Sequence, residues 1–203
     1  LVRLGWSNGD QEIFSMEDML ELFDPSNINK SASAYNAEKL LWLNSEYIKA
    51  VSNDRLIEEL KFFDMDLSHH PKRTELLDLS KQRAQTIVEL KASVNSILDI
   101  PTSYEEQGVK KFVKEDTRDF LEKYLVLLEE NKDNLYDVSN VEEITKPFIT
   151  ENGLKFPQLF QPIRIALTGG TQAPSVYDII AILGFNEVSS RLQTALKRNF
   201  QNT

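Results

Sequence analysis

Arg83 stands where an apolar side chain is expected. Leu76, Leu79, Ile87, Leu90, Val94 and Ile97 recur at three- and four-residue steps, and position 83 completes their stripe. A guanidinium there either packs its stem and sends its head to water or a carboxylate, or offers its planar fork to a phosphate or a base edge. A second candidate is the run Gln161-Pro162-Ile163-Arg164-Ile165-Ala166-Leu167-Thr168-Gly169-Gly170-Thr171, inside a stretch with no acidic residue between Glu151 and Asp178. It ends in a glycine-rich turn ahead of a helix, so its backbone N–H groups can hold a sugar-phosphate, or it simply links two helices. It is not a P-loop, lacking Lys-Ser/Thr after the second glycine, and it does not have the dinucleotide GxGxxG spacing.

The remaining reactive side chains form no catalytic set. His69-His70-Pro71 has no third ligand nearby and reads as a helix-terminating loop, so no metal site is expected. Glu105-Glu106 and Glu129-Glu130 lack a companion nucleophile or base and read as solvated faces. With no cysteine, disulfides, thiolate metal sites and cysteine nucleophiles are excluded, which suits a reducing compartment.

The elements that must carry these residues are helices. Seven Gly and seven Pro in 203 residues are few, and 41% apolar with 27% charged is a globular composition. Ser15 with Asp18 forms a capping pair before Met19-Leu20, and Asp24-Pro25-Ser26-Asn27 ends that helix. Asn36 caps a helix with Leu40, Leu41, Leu43, Tyr47 and Ile48 as its apolar face, and a third runs from Asp54 to about Phe63. The stripe around Arg83 predicts one long helix over 74–98, followed by another over 117–130. Ser139 caps a shorter helix from about Val141, limited by Pro147. The pattern from Tyr177 stops at Gly184 and restarts at Asn186 with Val188, Leu192, Leu196 and Phe200. No strand alternation and no internal repeat occurs, so the fold class is all-α.

No apolar run approaches the roughly 18–20 residues that span a bilayer, and the expectation is a soluble, cytoplasmic chain without a membrane partner. It opens without methionine inside an amphipathic pattern, which suggests a fragment of something larger. The formal charge of −9 counts against a uniformly basic nucleic-acid surface. Its distribution is uneven: residues 1–66 carry −7, residues 67–134 carry −2 and residues 135–203 are neutral.

Four strings, in order, give the chain a family likeness: Leu1-Val2-Arg3-Leu4-Gly5-Trp6-Ser7-Asn8-Gly9-Asp10-Gln11-Glu12-Ile13-Phe14; Lys30-Ser31-Ala32-Ser33-Ala34-Tyr35-Asn36; Lys39-Leu40-Leu41-Trp42-Leu43-Asn44 with Tyr47-Ile48; and Pro162-Ile163-Arg164-Ile165-Ala166-Leu167-Thr168-Gly169 with Pro174. Along its whole length the sequence resembles the C-terminal half of bacterial glutamyl-tRNA synthetases. The HIGH-like and KMSKS-like ATP-binding motifs of that family are not present. The resemblance implies a helical stem-contact domain over 1–66 followed by an all-helical (α-helix cage) anticodon-binding domain over 67–203, with subdomains of about 67–134 and 135–203.

It further implies anticodon-facing roles for Arg83, within Lys81-Gln82-Arg83-Ala84-Gln85-Thr86-Ile87-Val88-Glu89-Leu90, and for Arg164. Gln161, Thr168, Ala173 and Val176 fall at other positions on that face, Ala173 replacing a Thr of some members. Lys39 and Trp42 fall in the stem-contact part. The implied partner is tRNA(Glu), with tRNA(Gln) a further candidate and no DNA. The implied oligomeric state is a monomer. No cofactor or catalytic residue belongs to this portion; ATP with Mg belongs to the parent enzyme, which attaches glutamate to tRNA. The competing reading is an acidic all-helical scaffold that binds protein, which has no need of an acid-free 152–177 stretch or of Arg83.

Overall fold

The computed structural model describes residues 5–29 and 36–202. Residues 1–4 of the first family-like string and residues 30–35 of the second lie outside the described residues. Among the described residues there are ten α-helices and no named strand.

The front part is thinly buried. Helix α1, Met16–Leu22, begins at a full capping box in which Ser15 and Asp18 exchange bonds, and Asp24 caps a 3-10 turn at Pro25–Asn27. Trp6 and Phe14 are buried and Phe23 is exposed, and the Trp6 ring centroid lies 5.7 Å from that of each phenylalanine. Helix α2, Ala37–Ala50, starts where Asn36 accepts from the Lys39 N–H. Its expected apolar face is present, but only Ser45 and Ile48 are buried, and Leu40, Leu41, Trp42 and Tyr47 remain exposed.

Helices α3, Asn53–Lys61, α4, Arg73–Lys81, and α5, Ile87–Leu98, close the first core. Leu56, Ile57, Leu60, Leu77, Leu90 and Val94 pack together with Ile48 and Ala84. Here the expectation of one helix over 74–98 is corrected: the chain breaks at residues 82–86. The reason is local. Thr86-Ile87-Val88-Glu89 has the form of an N-terminal capping string. Thr86 Oγ1 accepts from the Glu89 N–H at 3.1 Å, and Glu89 Oε2 accepts from the Gln85 N–H at 2.8 Å.

The second core gathers α6, Glu106–Phe112, α7, Thr117–Glu130, α8, Val138–Glu151, α9, Phe156–Thr168, and α10, Val176–Lys197, around Leu121, Tyr124, Leu128, Leu159, Ile163 and Ile180. Leu76 and Ile97 join this core although α4 and α5 also build the first, so the two cores share these helices. The α7 boundaries are those expected. Helix α8 starts three residues earlier than expected, because Asp137 rather than Ser139 supplies the cap. Helix α6 has no counterpart in the periodicity reading.

Nor has α9, which is the most buried helix: Leu159, Phe160, Pro162, Ile163, Ile165, Ala166 and Leu167 are all inside. Two prolines disguise it. Pro157 sits in the first turn, where a missing N–H costs nothing, and Pro162 is accommodated in the interior. The expected stop at Gly184 is real, for the last helix breaks there with φ 71° and ψ 172°. A Cβ at that position would lie 2.8 Å from the Tyr136 ring.

Candidate functional site

The turn that interrupts the predicted 74–98 helix carries Arg83 outward. It is exposed rather than buried on a stripe, and the inward position belongs to Ala84. No carboxylate pairs with Arg83 among the described residues; its guanidinium donates to the Ala173 carbonyl at 3.1 Å. Arg83 thus reaches across 90 residues of sequence to the segment joining α9 and α10.

Arg164 projects from α9 near the same place. It is half-buried, and its Nε–H is buried without a hydrogen-bond partner in the protein. Burial lowers its pKa from the ordinary arginine value, and the neighbouring charge of Arg83 lowers it further. Gln161, one turn earlier, likewise has a buried Oε1 without a partner. A buried polar atom left unsatisfied costs about 1–3 kcal/mol, and these two atoms, one a donor and one an acceptor, make no hydrogen bond within the protein.

The other implied positions serve differently. Thr168 Oγ1 donates to the Arg164 carbonyl at 2.9 Å, so its hydroxyl is engaged in its own helix. Ala173 and Val176, two of the positions implied for that face, turn their side chains into the core, at 6% and 2% exposure. What Ala173 presents is its carbonyl, to Arg83.

The glycine-rich turn is not a phosphate cradle. Gly169, at φ 80°, ends α9, and its carbonyl accepts from the Glu105 N–H at 2.8 Å. The Glu105 carboxylate then accepts from the Thr171 N–H and hydroxyl, at 2.8 and 2.7 Å. The protein's own carboxylate therefore fills the anion position, and Glu105 is a structural partner rather than a merely solvated charge. The Thr171 hydroxyl bond, then the Thr171 backbone bond, lower its pKa from the ordinary glutamate value.

In the front part Lys39 forms an ion pair with Glu12 and lies 4.3 Å over the ring of Trp42, itself partly exposed. His70 Nδ1 accepts from the Lys72 N–H at 3.2 Å, and burial lowers its pKa. The loop reading of that pair holds. Among the described residues no group of His, Cys, Asp and Glu is placed to hold a metal, and no helix is long and apolar enough to cross a membrane.

One residue that the sequence reading passed over is Arg191. It is 2% exposed, and its guanidinium donates to the carbonyls of Leu167 at 2.7 Å, Leu98 at 2.8 Å, Ile97 at 2.9 Å and Asp99 at 3.0 Å, with its Nε on Glu187 at 2.7 Å. The signal was available: position 191 lies between Val188 and Leu192 on the apolar stripe of the last helix. A charge on a buried face did need partners, but that charge was Arg191 and not Arg83.

Among the described residues, the helical cage thus sets Arg83, the half-buried Arg164 and the Gln161 amide close together beside the segment that joins α9 and α10. The chain belongs to the anticodon binding domain family, whose pattern matches residues 19–196. It is 78% identical to glutamate–tRNA ligase 1 of Aliarcobacter butzleri over all of this chain and 43% of that protein. With glutamate–tRNA ligase 2 of Campylobacter curvus it shares 44% identity over 97% of this chain and 42% of that protein. A glutamate tRNA ligase of Elizabethkingia meningosepticum, solved by crystallography, superposes with a TM-score of 0.85 at 25% identity, covering 96% of this chain and 39% of that one. The chain thus spans under half the length of the ligases it matches.

Proposed function

We propose that this chain is the tRNA-reading portion of a longer glutamate–tRNA ligase and that it recognises the anticodon of tRNA(Glu), with tRNA(Gln) the alternative occupant of the same face. The observation that carries this reading is the half-buried Arg164, its Nε–H unpartnered, beside Arg83 and the unpartnered Gln161 Oε1. Single-stranded anticodon bases can splay out and stack on guanidinium planes while their edges meet donors and acceptors such as these. Residues 67–203 form the anticodon-binding part and residues 1–66 the stem-contact part, where Lys39 and Trp42 meet the tRNA backbone. Ala173 supports the face through its carbonyl, Val176 by packing beneath it in the core, and Thr168 by its bond within the last turn of α9. In the full ligase, a cytoplasmic monomer, ATP with Mg serves the catalytic part, and no DNA is bound.

A protein-binding scaffold has no use for a half-buried arginine whose Nε–H has no partner. The deciding experiment titrates the chain and its Arg164→Ala variant against tRNA(Glu) transcript. Binding weakened at least tenfold by the substitution supports the reading; equal binding by both proteins, or none by either, overturns it.

A further inference from the structure

Arg191 has no exposed atoms to offer a ligand, yet its position bears on the face just described. Its guanidinium gathers the last carbonyls of α5, at Ile97, Leu98 and Asp99, and the Leu167 carbonyl near the end of α9. A cation at two helix C-termini satisfies carbonyls that have no partner within their own helices and opposes both dipoles. Helix α5 begins directly after the turn that holds Arg83, and Leu167 lies one turn beyond Arg164 on α9. Arg191 therefore ties the C-terminal end of α5, the helix that the Arg83 turn leads into, to the end of α9, the helix that carries Arg164. At the far end the Arg83 bond to the Ala173 carbonyl closes the frame.

Resting on the reading of that face as the anticodon site, we infer that Arg191 is a positioning residue that sets the separation of Arg83 and Arg164, and with it the discrimination among anticodon bases. The planar fork matters here, since four carbonyls from two helices converge on two terminal nitrogens, which an ammonium on a straight stem cannot reproduce. Glu187 holds the fork in plane through Nε. A displacement of about 1 Å between the two arginines is enough to unmake a bidentate contact.

The test uses the full-length ligase and compares tRNA(Glu) transcript with one altered at an anticodon base, at a temperature well below each variant's Tm. Arg191→Lys is expected to lower the ratio of kcat/KM for the two tRNAs at least tenfold, through KM for the cognate tRNA and with kcat within about twofold. A lower Tm with the ratio unchanged makes Arg191 a stabilising residue only and overturns the proposal. Should Arg191→Lys not fold, Glu187→Ala, which removes a half-exposed partner and leaves the fork on its carbonyls, is expected to lower the ratio about threefold; an unchanged ratio overturns the proposal. Arg164→Ala is the control that separates the two readings. If it leaves the ratio intact the anticodon assignment itself falls, whereas a ratio lost in Arg164→Ala and kept in the Arg191 and Glu187 variants removes only the positioning role.

Discussion

Arg83 and Glu105 show how differently two exposed charges can be employed. Arg83 makes one bond to a carbonyl, a contact of about 1 kcal/mol, so Arg83→Ala should change the urea-derived unfolding free energy by less than about that amount. The same change should weaken tRNA binding about tenfold or more, since one good arginine contact to a base is worth about 1–3 kcal/mol. Glu105 instead caps the turn at Thr171 and carries a pKa below the ordinary 4.5. Its carboxylate therefore adds stability that is complete above pH 4.5 and is lost as pH falls through the lowered folded value. Acid unfolding of Glu105→Gln, which keeps the acceptor and removes the titration, should show a correspondingly shallower loss below pH 4.5. Arg164 was legible because it sits in a quoted family string and an acid-free stretch. Arg83 stands out in the sequence on two grounds, a seat on a stripe, which the structure removes, and its place in the string from Lys81 to Leu90, which it does not. The first ground applied to Arg191, where it holds.

Helix boundaries here are decided by caps and prolines more than by apolar rhythm. The spacing from Leu76 to Ile97 runs on across 82–86 although its residues divide between two cores, Leu76 and Ile97 in one and Leu90 and Val94 in the other, so period alone cannot register the break. The break rests on Thr86, and Thr86→Ala should cost about 1 kcal/mol by thermal or urea unfolding. It should also loosen the turn that presents Arg83. Helix α9 escaped because proline is read as punctuation, while burial on nearly every side hides any amphipathic signal. The α10 break was legible, since glycine there announced a conformation that other residues resist. At φ 71° and ψ 172°, against the Tyr136 ring, Gly184→Ala should destabilise by about 3 kcal/mol, or fail to accumulate folded protein in a melting experiment.

Over the whole molecule, the charge of −9 belongs mostly to residues 1–66, while the part holding Arg164 is neutral. Attraction over distance thus contributes little, and recognition rests on a few short contacts. Log–log plots of tRNA affinity against salt should have a shallow slope, near −1.4 if two phosphates are neutralised at about −0.7 each. A slope several times steeper would indicate an extended basic track. The all-α class was legible throughout because composition and periodicity act on every residue. The convergence of the Arg83 turn, α9 and the loop after it was not, because it depends on contacts between positions some 90 residues apart. That separation has a temporal meaning as well. Until residue 191 has been synthesised, the carbonyls at the ends of α5 and α9 lack their shared donor, whereas the front core of α3, α4 and α5 is built from contacts closer in sequence. On the proposed reading, a chain cut before Arg191 lacks the donor that joins the ends of α5 and α9 beneath the anticodon face.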